Sequence, residues 1–554
     1  MCPVNRPTLP LFVHEVVDDP RRRGILFAGC VALFAVGLVP RVLSPGLPSA
    51  QEMLKAKPEI ENLFLLFTFL STAAVILGGL VSDLFRRRAL MLGALSAMVA
   101  ADVLCLILDD GPLFYAANFT AVAAAGIVLA YGIGSVAIAF EGVPRATALG
   151  VVYAAYGAGS ALAPALLTLF PRLVPSTDPT VRPDFTFDTS LAYAVAGLSA
   201  GLALWAALRW MERLPGSLPA SRRLIVSVAV WSISILAIVS GVLGLGGPGG
   251  LLLPTALIVG GAIGLSTLTL RFNRTVEMIE QLRLDRRGLG AALAVGVAVG
   301  FAQAIPLMLL PIVFEYPLGY GQLLSVVAIA PFAVALLLAG PVSGMLIQRF
   351  GPRGVMASGS LFLGIANLVL ALFLAWAGGG LGYLAFIVPL ALIGAGFVFA
   401  TTVRTAIVFA STPRGLPSSA AAINEASVGL GSRIGIVVAT TVLTAAALDS
   451  ARSLVAGRPD AEALVAEFQE ALVSLGTPRF KEVLAALQDA PAFKIQAYDA
   501  AYLDGVVPAL VLGGLAAIGG AILAWFLTGR RDPLRTVFDM QDEREGRAAA
   551  PEAT

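Results

Sequence analysis

Histidine is nearly missing from this chain of 554 residues: the single one, His14, lies in the N-terminal tail. A histidine-based zinc site within the apolar body is thereby excluded, and so is a Ser-His-Asp triad there. Cysteine is scarce as well. Cys2, Cys30 and Cys105 are all there are, and two of them fall in long apolar runs, which makes no disulfide framework. No G-x-x-x-x-G-K-S/T loop occurs, so ATP hydrolysis through a P-loop is excluded. Charge is sparse at 13% of residues, with a formal net charge of +2. The basic residues are spread over short loops, a pattern of topology and not of nucleic-acid binding. No cofactor is called for.

Apolar surface, by contrast, is in excess: 58% of the residues are hydrophobic and mean hydropathy is +0.87. It comes in blocks of about 20 residues, enough to cross a hydrocarbon core of about 30 Å. Lipid offers the backbone no hydrogen bonds, so blocks of this length must be helices. The expected fold class is therefore an all-α polytopic membrane protein. Fourteen blocks are legible, at about 24–40, 61–82, 89–108, 113–140, 146–170, 189–208, 224–246, 251–270, 288–314, 322–348, 355–377, 381–403, 420–448 and 504–528. With the N-terminus inside, 26 Lys and Arg fall on the inner side and ten on the outer, Arg433 lying within a block. Four outer loops, around 109–112, 246–250, 315–321 and 378–380, hold none. One miscounted block would invert every sign downstream. The expectation is fourteen spans with both termini cytoplasmic, in a cell (inner) membrane. Alternatively, Arg21–Arg23 and the apolar run after them form a signal peptide, whose cleavage would leave thirteen.

The chain then divides into a cytoplasmic tail (1–23), a six-helix bundle (24–210), two extra helices with cytoplasmic linkers (211–287), a second six-helix bundle (288–528) and a cytoplasmic tail (529–554). The outer loop 449–503 interrupts the second bundle. Its segments "AEALVAEFQEALVSL" and "RFKEVLAALQ" carry apolar residues at helical spacing and predict two amphipathic helices. They read as a cap on the bundle, or as a gate or partner contact.

An internal echo supports two halves. "GGLVSDLFRRRALMLGAL" (78–95) follows span 2, and "GPVSGMLIQRFGPRGVMASG" (340–359) follows span 10. Each has glycine, an apolar stretch, then Phe and arginines at a cytoplasmic turn. Duplicated halves with a site between them are a transporter pattern.

The first segment resembles the loop motif of the major facilitator superfamily, G-x-L-x-D-x-x-G-R-K/R. Gly79, Asp83, Arg87 and Arg88 match it, and Arg86 replaces the last Gly. Gly340, Gly344, Arg349 and Arg353 form the second copy. Fourteen spans, "LPSAQEML" (47–54), the region 321–351 and "LGSRIGIVVATTVL" (430–443) resemble the drug:proton antiporter branch. "GAGSALAPALL" (157–167) is a worn form of its span-5 motif, with Pro164 kept. The resemblance implies export of a drug-like amphipath by alternating access, driven by protons. Two departures stand out. The usual span-1 Asp is Val39, and "NFTAVAAAGIV" (118–128) lacks the Arg-x-x-Gln-Gly of span 4, leaving Asn118 as its nearest polar residue. Both weigh against a polyspecific cation exporter.

Candidate site residues follow from charge and polarity inside spans. Asp102 in span 3 is the proton-coupling candidate, or else a paired structural acid. Asp83 and Glu425 are placed near the inner interface. Arg433, in "GLGSRIGIVVATTVL", is placed in the inner third of span 13. There it either snorkels or meets an anionic headgroup, while Gly429, Gly431 and Gly435 pack against the bundle. Gln303, Asn118, Tyr131 and Tyr156 are candidate substrate contacts, although tyrosines in spans also serve as packing. Partners expected are an amphipathic small-molecule or lipid substrate, protons and the bilayer; a monomer is compatible with this reading. Two other functions remain open: export of lipids or anionic amphiphiles, and a non-transporting sensor or scaffold. An enzyme is not expected, since no nucleophile–base constellation appears.

Overall fold

The computed structural model describes residues 19–54, 59–84, 87–108, 112–140, 142–169, 189–211, 230, 233–242, 251–269, 286–320, 322–377, 380, 382–412, 417–473 and 492–527. Among these the regular structure is helical throughout. The first half holds α1 (Pro20–Leu54), α2 (Glu59–Leu84), α3 (Arg87–Ile107), α4 (Pro112–Ala139), α5 (Gly142–Leu169) and α6 (Thr189–Trp210). Two shorter helices follow, α7 (Ile233–Val242) and α8 (Leu252–Thr269). The second half holds α9 (Arg286–Glu315), α10 (Gln322–Val327), α11 (Ala330–Ala377), α12 (Leu384–Ser411), α13 (Pro417–Leu454), α14 (Ala461–Val473) and α15 (Ala492–Leu527).

Ten helical stretches of the described residues are long and apolar enough to cross a membrane, and three shorter apolar ones join them: Phe69–Asp83, Ile233–Val242 and Leu252–Thr267. Large apolar side chains such as Leu198, Trp205, Trp376 and Leu384 face outward, a surface that a bilayer would cover. The chain is a multi-pass membrane protein.

The two halves are wired alike. In the first, α1 packs on α5, α2 on α4, and α3 on α6; in the second, α9 packs on α13, and α11 on both α12 and α15. The sequence echo falls on equivalent places, the α2–α3 turn and a break within α11. That break is at Gly351, whose φ of 74° and ψ of 160° leave the helical region. Positive φ suits glycine, and Pro352 behind it starts the next limb with its φ already set. The expected tenth block is itself divided: α10 ends at Val327, and α11 begins at Ala330.

The first amphipathic segment of the outer loop is α14. It lies on the second half as a cap, with Phe468 stacked on Tyr498 and the Tyr498 hydroxyl donating to Leu464 O at 2.7 Å. The second amphipathic segment, residues 1–18 of the N-terminal tail, the tail 529–554 and most of the α6–α7 and α8–α9 linkers lie outside the described residues, whereas Pro20–Arg23 of the expected N-terminal tail open α1.

Glycine sets the closest helix pairs. A Cβ at Gly431 or Gly435 would strike the carbonyls of Val297 or Phe301 on α9, and one at Gly300 would strike Val428 O. Gly429 instead has only ordinary contact with Thr72. Overpacking such a contact costs roughly 1–3 kcal/mol. Gly435→Val should therefore lower the thermal unfolding midpoint in detergent. Gly93→Ala, with nothing within 4 Å of its new methyl, should leave that midpoint unchanged.

Candidate functional site

A cavity of about 810 Å³ lies between the halves. Its walls come from α1, α2, α4 and α5 on one side and from α9, α11, α12 and α13 on the other. Most of the lining is apolar, including Phe34, Leu129, Leu307, Phe332 and Phe397. The polar groups are few: Ser71, Thr72, Tyr153, Tyr156, Gln303, Thr401, Glu425 and Ser432 stand out. An apolar chamber with sparse polar anchors fits a ligand that is itself mostly apolar. Pro306 and Pro311 lie inside α9 on the same stretch as Gln303.

The chamber is shut at the end that carries the arginine-bearing turns. Gly79 of α2 packs against Ser418 and Ala422 of α13. Gly340 and Gly150 face each other backbone to backbone, and Gly344 sits on Thr147. Asp83 completes the closure. Its carboxylate accepts from the amides of Ser418 (3.2 Å) and Ser419 (2.7 Å) and from the Ser419 hydroxyl (2.7 Å). Those amides belong to the first turn of α13, where N–H groups lack helical partners and the helix dipole favours an anion. Pro417 occupies the first helical position, which has no N–H to lose. Of the other loop-motif residues, Arg88 donates to Leu208 O at 2.8 Å, Arg353 stacks 4.2 Å over Trp525, and Arg349 lies 5.5 Å from the Phe350 ring. The side chain of Arg87 is outside the described residues.

Deeper in, a polar cluster joins the halves. Arg404 of α12 is completely buried, although the twelfth apolar block read from the sequence, 381–403, stops one residue short of it and counts it with the inner loop. The apolar run continues past it to Ser411, so α12 carries the arginine inside the span. Its Nη1 donates to Asn424 O (2.8 Å) and Ser427 Oγ (2.7 Å). Its Nη2 lies 3.7 Å from Glu425 Oε1. Gly296 of α9 makes room, since a Cβ there would collide with the guanidinium. Glu425 also accepts from Tyr153 OH at 2.5 Å and from Asn424 Nδ2 at 3.0 Å. Asn424 Nδ2 and the Tyr153 hydroxyl both reach Thr405 Oγ1, at 2.9 and 3.1 Å. Tyr153 belongs to the first half, and its three hydrogen-bond partners, Thr405, Asn424 and Glu425, belong to the second. Glu425 lines the chamber, so one carboxylate faces the cavity, a buried cation and the opposite half at once.

The predicted residues are only partly brought together. Tyr156 and Gln303 line the chamber. Asn118 does not: it donates to Phe114 O and accepts from Tyr193, tying α4 to α6. Tyr131 is buried in the first half beside a separate cavity of about 250 Å³. Asp102 is 1% exposed and faces Gly197 of α6, away from the chamber; its Oδ2 has no hydrogen-bond partner among the described residues. Arg433 lies halfway along α13 and reaches sideways, toward Ser71 and Ser240. It adjoins the chamber wall and does not reach back to the helix end. Arg404 and the role of Glu425 were missed. The available signal was a second arginine in an unbroken apolar run, with an acid 21 residues on.

A family model described as Major Facilitator Superfamily matches residues 25–436. No curated protein matches by sequence. Solved structures share the fold at low identity. The human organic anion transporter MFSD10 (TETRAN) is 14% identical, with TM-score 0.54, over 90% of this chain and 100% of its own. The proton:xylose symporter XylE, bound to 6-bromo-6-deoxy-D-glucose, is 13% identical with TM-score 0.56, over 94% and 99%. The E. coli fucose:proton symporter FucP is 14% identical with TM-score 0.52, over 91% and 98%.

Asp83→Asn removes the charge that the α13 amides hold, a contact worth up to about 2 kcal/mol in a buried setting. The closed arginine end should open more often. Ser343→Cys, fully buried beside Gly150, reports this in a background lacking the natural cysteines. Its labelling by a maleimide should speed up about tenfold or more when Asp83→Asn is added.

Proposed function

The chain belongs to the major facilitator superfamily, and we propose on that premise that it exports an amphipathic, drug-like small molecule in exchange for protons. Fourteen spans with both termini cytoplasmic, in the cell membrane, complete this reading. The arginine-bearing end is then the cytoplasmic one, and the chamber is closed toward the cytoplasm.

One observation carries the coupling: Glu425 is the carboxylate that faces the chamber while touching the opposite half. Charged, it accepts from Tyr153 and attracts Arg404, which holds α5 against α12 and α13. Protonated, it loses the attraction to Arg404 and becomes a donor in its own right. The cross-half bonds must then be rearranged, and the proton becomes a condition on which half-to-half contact persists. Asp102 makes no comparable contact, so the coupling role passes from it to Glu425. The apolar lining, with Tyr156 and Gln303 as polar anchors, supports an amphipathic substrate. A second reading, export of a lipid or anionic amphiphile, is favoured by the cation at Arg433 beside the chamber wall.

Proteoliposomes loaded with pyranine test this. Addition of amphipaths of either charge should drive proton movement by the wild-type protein. Glu425→Gln should reduce it to the level of empty vesicles, whereas Asp102→Asn should leave it close to wild type. Full activity in Glu425→Gln would overturn the assignment, and absence of any flux with any substrate would favour a non-transporting role.

A further inference from the structure

Arg433 takes no part in the cluster at Glu425, and its surroundings are its own. It projects from α13 into a seam with α2 and α7. Nη2 lies 3.3 Å from Ser71 Oγ and Nη1 lies 3.4 Å from Ser240 Oγ. Both distances are long beside the roughly 2.7–2.9 Å of charge-assisted bonds. Among the described residues no carboxylate pairs with this arginine. A guanidinium presents five N–H donors in a planar fork, and two distant hydroxyls neither saturate nor neutralise it. A cation partly withdrawn from water favours a counter-charge.

Position says where that counter-charge would come from. Ser71 and Ser432, the residue preceding Arg433, both line the chamber. On the outer side the seam is covered by α7, whose Leu236 packs against Ala73, Ile76 and Leu80 of α2. α8 in turn clamps α7 through Gly241 and Gly261, which meet backbone atoms of the facing helix. The fork is thus only partly exposed, is covered on the outer side by α7, and adjoins an apolar chamber. Glu425 is eight residues away on α13, about 12 Å of helix, so an anion at Arg433 does not sit on that carboxylate.

We propose that this seam binds the anionic headgroup of an amphipathic substrate, a carboxylate or phosphate. Arg433 supplies the charge, and Ser71 and Ser240 supply hydroxyl donors. The inserted helix α7 is then part of the substrate site. The proposal rests on the transporter reading, since the apolar tail must lie in the chamber. A membrane phospholipid and a free amphiphilic acid share this chemistry.

The test is a fluorescence titration of the full-length protein in phosphatidylcholine nanodiscs. The probes are dansyl-undecanoate and an otherwise identical tail ending in trimethylammonium. Arg433→Gln should weaken the carboxylate probe by about tenfold or more and leave the ammonium probe within about twofold. Arg433→Lys should recover part of the loss, because charge remains while the fork is gone. Ser240→Ala should weaken the carboxylate probe by a few-fold, and it keeps the test alive should Arg433→Gln fail to fold. Unchanged carboxylate binding in both variants overturns the site, as does equal loss of both probes. Replacing half the lipid with phosphatidylglycerol separates the sources. Displacement of the carboxylate probe assigns the site to a phospholipid, and no displacement assigns it to a free acid. Arg433-dependent binding without any proton flux in pyranine vesicles would overturn proton-coupled export and keep the site. Proton-coupled flux of the ammonium probe, indifferent to Arg433→Gln and without carboxylate binding, would do the reverse.

Discussion

A guanidinium with no access to water has to be met by polar atoms at fixed places, and Arg404 imposes that demand on two neighbouring helices. The backbone and side chains of α13 answer with Asn424 O, Ser427 Oγ and the Glu425 carboxylate. α9 answers by giving up a side chain at Gly296. Because leaving such a charge unmatched costs several kcal/mol, α12 and α13 cannot slide past each other freely. Tyr153 is the only member of this cluster from the other half, so within it the two halves meet through one hydroxyl.

The site divides its labour by height. Near the arginine-bearing turns, Asp83 and the glycine contacts hold the halves together through backbone atoms. Above them, Glu425 links the halves through side chains, by its bond to Tyr153. Higher again, the walls are apolar, and the charge at the margin belongs to Arg433. In the proposed reading, closure, coupling and recognition fall to different atoms along α13, which takes part in all three.

The fold was legible because its cause is coarse. Blocks of apolar residues and the alternation of basic turns require only the thickness of a bilayer, and the echo between "GGLVSDLFRRR" and "GPVSGMLIQRF" marks equivalent bends. The site was less legible because it depends on pairings across helices. Asp83 could be matched to a motif, but its partners are backbone amides 335 and 336 residues away. Asp102 looked like a coupling group by position within its span, yet rotation of α3 turns it toward Gly197 and α6. Arg404 was taken for a turn residue because a charge was read as the end of a helix. Arg433 lies halfway along α13, which runs from Pro417 to Leu454 and outlasts its apolar block at both ends.

The glycine contacts at the closed end have one more consequence. Gly79, Gly150, Gly340 and Gly344 hold the seam by what they lack, and every one of them faces the opposite half. A single carbon added at any of these positions is a wedge driven into this closed contact. The tightness of this seam is thus set by missing methyl groups, a dial that point substitution can turn in one-carbon steps outside the chamber lining.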